Sequence, residues 1–284
     1  MKSNFALCLV LILLGTSTAF SQLPTFRHVF IVVEENHNYS SVIGSSSMPY
    51  LNSLAKKYGL ATQYYANTHP SIGNYFELTA GQIITNNDSF NGTVSADNVV
   101  RHLLTAGKTW KAYEDSLPKA GYISPDTGNY VRRHCPLSYF SDVVNSSTQK
   151  QNLVPFTQFK KDLANHALPN YSFITPNLCN DAHNCSLGTA DSWLKTNIGP
   201  LINSASFQSN GLLIIVFDES ANDNSHGGGR IAWVAISPKY SKGGYKSSTF
   251  YQHQNTLRLM LEGLGVKTYP GNAKNASNMS EFLK

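Results

Sequence analysis

Charge is scarce in this chain. Only 14% of its 284 residues are Asp, Glu, Lys or Arg, and the net charge of +5 is scattered, with no basic run beyond Lys56-Lys57, Arg132-Arg133 and Lys160-Lys161. Nucleic acid binding calls for a basic cluster, so this pattern argues for no nucleic acid partner and a mild attraction toward anionic small molecules. Cysteine is almost as rare, with four in all and no Cys-x-x-Cys spacing of the kind a zinc thiolate site uses. Long apolar runs are missing too. Nothing approaches the ~20 apolar residues a spanning helix needs, which argues against stable membrane insertion. There is no Gly-x-Ser-x-Gly elbow, so a Ser–His–Asp esterase of the α/β-hydrolase type lacks its nucleophile motif. No internal repeat or long linker interrupts the chain, and no feature calls for an obligate protein partner.

The first residues have the three-part pattern of a secretory signal peptide. Lys2 supplies the positive region, residues 5–14 the apolar core, and Ala19-Phe20-Ser21 a small-x-small cleavage site before Gln22. Residues 1–21 are therefore expected to be removed, a retained anchor being the alternative, leaving residues 22–284 as one α/β domain in a secreted or periplasmic protein. Of the four cysteines, Cys8 would leave with the leader. An oxidising destination favours a disulfide among the remaining Cys135, Cys179 and Cys185. A Cys179–Cys185 bridge would staple the five residues between them and leave Cys135 odd, but three cysteines alone do not exclude a pairing that uses Cys135.

Apolar strand-like runs alternate with helix-period segments, as a mostly parallel sheet requires. Strands are predicted at residues 28–33, 60–65, 109–113, 171–175, 212–217 and 231–236. Helices are predicted at about 48–58 with Gly59 ending it, 71–81, 96–106, 155–166 with Pro155 in the first turn, 189–204 and 251–264. The polar stretch 115–152 reads as irregular and able to roof a site.

The run Gly211-Leu-Leu-Ile-Ile-Val216 leads into Phe217-Asp218-Glu219-Ser220, and His28-Val-Phe-Ile-Val-Val33 into Glu34-Glu35-Asn36-His37. In an open α/β sheet ligands collect at the carboxyl ends of the strands, so acidic pairs there are placed for metal chemistry. Asp181 and His183 follow the strand ending near Thr175, and His253 opens the last helix. His226 sits in Ser225-His226-Gly-Gly-Gly229, a loop able to fold over a ligand. Ser71 stands at a strand-to-helix transition, in Asn67-Thr-His-Pro-Ser-Ile-Gly-Asn-Tyr75, where free N–H groups and the helix dipole favour an anion. Beside a divalent cation its hydroxyl can serve as both ligand and nucleophile. Asn74, one turn on, is positioned to donate its amide to a phosphoryl oxygen. Alone, Ser71 reads as an ordinary helix cap; its company sets it apart.

The ordered series Phe30-Ile-Val-Val-Glu-Glu-Asn-His-Asn-Tyr39, His69-Pro-Ser-Ile-Gly-Asn-Tyr75 with Thr79-Ala-Gly81, Pro176-Asn177 with Asp181 and His183, Leu213-Ile-Ile-Val-Phe-Asp-Glu219, and His253 with Leu257-Arg258 resembles the phosphoesterase family. This is the acid phosphatase and bacterial phospholipase C type of the alkaline phosphatase superfamily. The resemblance implies a three-layer α/β/α sandwich and an exported, metal-dependent phosphoric ester hydrolase working through a phosphoserine. It places Glu35, Asn36, Ser71, Asp218 and Glu219 around a metal, with Asp181, His183 and His253 as a second metal-binding group. Ser71, Asn74 and His183 would be catalytic, and Asn74 and His226 would contact substrate. One or two divalent ions are expected; calcium, magnesium, manganese and zinc each suit part of the donor set.

The sequence departs from the family pattern at Gly73, where Pro is frequent, and in its shorter length than the family's phospholipases. Small phosphate monoesters are the expected substrates. The alternatives are phosphodiesters or phospholipids on the same scaffold, or a non-catalytic secreted binding protein that keeps the fold.

Overall fold

Two strongly hydrophobic runs of the chain lie side by side. Strands β1 (His28–Glu34) and β6 (Gly211–Phe217) pair in parallel from His28–Gly211 to Glu34–Phe217, and every residue of both is buried. Strands apolar on both faces require cover on both faces, which is the signature of a parallel sheet inside an α/β protein. The computed structural model that shows this describes residues 23–284, so the expected leader lies outside the described residues.

Six more strands complete the sheet: β2 (Gly59–Ala61), β3 (Trp110–Glu114), β4 (Leu153–Pro155), β5 (Tyr171–Thr175), β7 (Trp233–Ile236) and β8 (Tyr245–Ser247). Their spatial order is β4-β3-β5-β1-β6-β7-β2-β8. Only β7 runs against the others. The helices are α1 (Tyr39–Val42), α2 (Pro49–Lys57), α3 (Ser71–Ala80), α4 (Val99–Thr105), α5 (Ser141–Val144), α6 (Thr157–Ala164), α7 (Leu187–Trp193), α8 (Gly199–Ile202), α9 (Ala205–Asn210) and α10 (His253–Gly263). Helices α3, α4 and α10 pack together, while α2 packs with α7 and α8 with α9. With the sheet they form the expected three-layer α/β/α sandwich.

Most predicted elements are present with shifted ends, and each larger difference has a local cause. Pro155 does not open a helix. It ends β4, opposite Glu114 of β3, and an edge strand tolerates a residue with no N–H to give. The helix expected over 189–204 is broken: a π-helical turn at Leu194–Ile198 follows α7, and Pro200 then sits in the first turn of α8. Gly59 opens β2 rather than closing α2. Beyond Ala61 that predicted strand keeps only single bridges, Tyr64 to Tyr251 and Tyr65 to Arg230. Strands β4 and β8 and helix α9 were not foreseen, being too short to show a period.

Helix ends are set by side chains from elsewhere. Helix α2 starts at Pro49, and the buried carboxylate of Asp191, on α7, accepts the N–H groups of Tyr50 (2.9 Å) and Leu51 (2.8 Å). Helix α3 stops at Gly81, whose left-handed φ of 65° turns its N–H onto the Glu77 carbonyl. Helix α10 starts with a reciprocal cap between Gln252 and Asn255. Because Asp191 joins two helices and satisfies two otherwise orphaned donors, Asp191→Ala should lower the unfolding free energy by about 1–2 kcal/mol. Asp191→Asn, which keeps an acceptor, should lose less; urea denaturation measures both.

Candidate active site

Parallel strands deliver their carboxyl ends to one edge, and here three neighbours bring acids. Strand β1 runs out at Glu34, Glu35 and Asn36, β6 at Asp218 and Glu219, and the loop after β5 carries Asp181. Backbone hydrogen bonds tie these ends together, Asp218 N–H to the Glu34 carbonyl (2.9 Å) and Glu35 N–H to the Asp181 carbonyl (2.8 Å). Asn36 adopts a left-handed φ of 53° and aims its own N–H at Asp218 Oδ1 (3.0 Å). Asparagine tolerates that conformation better than most residues, which lets the chain turn away sharply after Glu35.

Ser71 is the first residue of α3 and is 3% exposed. Its Oγ lies within donating distance of Glu35 Oε2 (3.1 Å) and Glu219 Oε1 (3.2 Å). One turn on, Tyr75 donates its hydroxyl to Glu35 Oε1 (2.8 Å). The His134 ring stacks on Tyr75, with centroids 5.0 Å apart and planes 6° apart. Its Nε2 is 3.1 Å from Glu35 Oε1 and its Nδ1 3.5 Å from Asp181 Oδ2, although neither nitrogen makes an aligned hydrogen bond. His69 closes the far side. Its Nε2 is committed as donor to the Asp223 carbonyl (3.1 Å), so Nδ1 and Glu219 Oε2, 2.6 Å apart, share one proton.

This concentration of buried acid has an electrostatic signature. Burial, then the neighbouring Asp218 and Asp181, pushes the Glu35 carboxyl well above its ordinary range. Burial also raises Glu219, with Asp218 adding to it, and raises Asp218 and Asp181. Burial lowers His134 to about 3, leaving it neutral. Oδ2 of Asp218, Oδ2 of Asp181 and both oxygens of Glu34 are buried without any hydrogen bond. Among the described residues no three His, Cys, Asp or Glu side chains already stand in coordinating geometry. The donor chemistry nevertheless fits a divalent cation: buried carboxylates with unused oxygens, an amide oxygen at Asn36 and no fixed positive charge of their own.

The structure thus brings together Glu35, Asn36, Ser71, Asp181, Asp218 and Glu219. The other expected residues have different surroundings. Asn74 is fully buried, and its amide is spent on the preceding loop: Oδ1 accepts from Asn67 and Thr68 N–H, and Nδ2 donates to the Thr68 carbonyl. It shapes the approach to Ser71 rather than offering a surface donor. His253 is likewise enclosed. Its Nε2 donates to the Asp218 carbonyl (2.7 Å) and its Nδ1 faces the Tyr64 hydroxyl (3.2 Å). Both ring nitrogens are therefore used behind the strand end, and none is left over as a metal ligand.

His183 is exposed. It gives its backbone N–H to Asp181 Oδ1 (2.8 Å), while its ring lies 6.0 Å from that of His134. The His226 ring packs against Tyr65 and Phe250, outside the carboxylate cluster. Cys179 and Cys185 are bonded, closing the loop that carries Asp181, and Cys135 is free and buried. Sequence reasoning missed three contributors: His134, Tyr75 and His69. A lone His in the irregular stretch expected to roof the site was the only pointer to His134.

Residues 45–267 match the profile of the Phosphoesterase family, a span that contains Ser71, His134, Asp181, Asp218, Glu219 and His253, while Glu35 and Asn36 precede it. The chain is 35% identical over 268 residues to a phosphatidylinositol-3-phosphatase of Mycobacterium tuberculosis, an alignment covering 93% of this chain and 85% of the relative. It is 34% identical over 242 residues to a probable acid phosphatase of Kluyveromyces lactis, covering 82% of this chain and 56% of that one. It therefore spans little more than half the length of that yeast relative. Among solved structures, a protein of the alkaline phosphatase superfamily from Vibrio parahaemolyticus superposes with a TM-score of 0.60 at 12% identity, over 86% of this chain and 67% of the other. That likeness is one of fold.

The titrations give a signed expectation. An acid whose folded pKa is raised binds its proton more tightly in the fold, so its contribution is complete below about pH 4 and lost as pH rises through the folded value. Burial raises Glu77 to about 7 and Glu114 to about 8, and the cluster carboxylates are raised as well. The buried His134 and His253, lowered to about 3 and about 4, act in the opposite sense, but only up to their unfolded pKa of about 6.5. Between about pH 6.5 and 8 the ion-free protein should therefore lose stability as pH rises. A divalent cation should remove the cluster's share of that slope. Denaturation midpoints in chelator and in added cation, taken across this range, check it.

Proposed function

The chain belongs to the phosphoesterase family, and on that premise we propose that this phosphoric ester hydrolase is a metal-dependent phosphatase that uses Ser71 as its nucleophile. The observation that carries the proposal is the placement of Ser71 Oγ at a helix start, between two carboxylate oxygens at 3.1 and 3.2 Å. Glu35, Asn36, Asp218 and Glu219, with Asp181 beside them, are the residues that would hold the ion. When bound, it would supply positive charge to a nonbridging phosphoryl oxygen and to the serine oxygen.

The chain's own groups account for the rest. Ser71 Oγ can pass its proton to Glu35 Oε2 or Glu219 Oε1, the two carboxylate oxygens within donating distance. The Ser71 oxygen then bonds to phosphorus as the ester P–O bond breaks, and the leaving oxygen takes up the proton that the carboxyl received. Water next attacks phosphorus and the Ser71–phosphorus bond breaks, releasing phosphate, with a proton of the water going to the Ser71 oxygen. His134, neutral and stacked on Tyr75, walls the cluster beside Glu35. Tyr75 keeps Glu35 in place, and Asn74 ties the 67–68 loop to the first turn of α3.

Phosphate monoesters are the proposed substrates. The names of the mycobacterial and fungal relatives, each a phosphatase, support that class. The disulfide that braces Asp181 supports an oxidising, extracytoplasmic location. Among the described residues no helix is long and apolar enough to cross a membrane.

Ser71→Ala should lower turnover of an aryl phosphate by about 10³-fold or more while cation content is retained. Chelation should abolish activity and one added divalent metal restore it. Near-normal turnover by the alanine variant would sink the covalent route, and activity surviving in chelator would point to an ordinary esterase.

A further inference from the structure

The free N–H groups at the start of α3 are where the oxygens of a phosphoryl group on Ser71 belong. One of them is already taken. Ile72 donates its N–H to Asp88 Oδ1 at 3.2 Å. Asp88 lies in the segment between α3 and α4, which comes back over the first turn of α3, and Gly73 makes that possible. A β carbon at position 73 would overlap Asn86 Oδ1 and stand 2.5 Å from Thr68 Cγ2. The glycine that departs from the resemblance thus admits the segment that brings Asp88 to Ile72.

On its other side Asp88 meets a cation. Its Oδ2 is 3.7 Å from Arg133 Nε, a buried nitrogen without a hydrogen bond, and Arg133 Nη1 is 3.7 Å from a second carboxylate, Asp126. The Asp88 side chain is 36% exposed. It lines a cavity of about 370 Å³ together with Phe90, Asp126, Arg132 and Arg133, so it has room to leave the helix. Two side chains more than nine-tenths buried, Asp218 with its free Oδ2 and His134 with both ring nitrogens unpaired, point independently to a ligand in front of Ser71.

We infer that Asp88 is a resident anion on the phosphoryl-oxygen site. Substrate displaces its carboxylate from Ile72 N–H toward Arg133 and the neighbouring cavity, and the carboxylate returns as phosphate departs. Every phosphate species competes with an internal ligand, the product included, so the site trades affinity for release. This rests on the reading of Ser71 as the phosphoryl acceptor.

The test is binding of inorganic phosphate to the cation-loaded protein by calorimetry, together with its inhibition constant and the KM for an aryl phosphate. Removing one carboxylate charge at the helix start by Asp88→Asn should tighten phosphate binding by about tenfold, with the inhibition constant and KM falling in parallel. Asp126→Asn removes a charge equally near Arg133 but not on the helix, and should stay within about twofold of wild type. Phosphate bound no tighter by Asp88→Asn, or an equal gain from Asp126→Asn, overturns the proposal. Gly73→Ala, which pushes Asn86 away, provides a second variant expected to tighten binding should Asp88→Asn fold poorly. If the Ser71 reading itself is wrong, Ser71→Ala keeps turning over, a result separate from these affinities.

Discussion

Burial of Glu35, Asp181, Asp218 and Glu219 together, held out of water at one edge of the sheet, is the constraint on which this protein is built. Burial raises the pKa values of all four, neighbouring acids add to the rise at Glu35 and Glu219, and each is met by whatever donors the fold can supply. Asn36 gives its N–H, Tyr75 and Ser71 their hydroxyls, and His69 shares a proton. The donors run out before the oxygens do, since Oδ2 of Asp218 and of Asp181 stay unpaired. A cluster kept for stability alone would not be arranged so, because replacing it with apolar side chains would relieve the repulsion. The unpaired oxygens are donor chemistry of the kind a divalent cation takes.

The sheet makes this concentration possible. Strands β5, β1 and β6 are adjacent and parallel, so their carboxyl ends lie about 5 Å apart in sequence-distant pieces of chain. Their backbones are locked in register by continuous pairing. Behind them a second buried network steadies the end of β6. His253 donates to the Asp218 carbonyl, Tyr64 contacts His253 and Thr256, and the Trp233 indole donates to Thr256 (2.8 Å). That network joins α10, β7 and the loop after β2, and so couples the acid pair to elements well beyond the site. Preorganisation of this kind keeps charged groups from relaxing away from a developing transition state.

Legibility followed the length and period of each signal. Strands β1 and β6 were readable because both their faces are apolar, and the acids at their ends were readable as a consequence. Glu35, Asn36, Asp218, Glu219, Asp181 and Ser71 all converge. Elements of three residues, such as β4 and β8, carry no measurable period, and Pro155 looked like a helix start because edge position is a property of the sheet. His134 is a different case. Nothing in Arg132-Arg133-His134-Cys135 sets that histidine apart from a surface one, and only the path of the 115–152 segment lays its ring on Tyr75.

Local chemistry written along the chain settled which residue types stand at strand ends, where Ser71 opens a helix and which faces must be covered. Those are short-range consequences of hydrophobic period and turn chemistry, and they carry over into three dimensions intact. Tertiary packing decided the allocation of partners. It spent the Asn74 amide on its own loop, turned His253 to a backbone carbonyl, left Cys135 unpaired and set Asp88 on Ile72. A hydrogen bond is satisfied by whichever group arrives at about 3 Å in the right direction, and direction exists only once the chain has closed on itself.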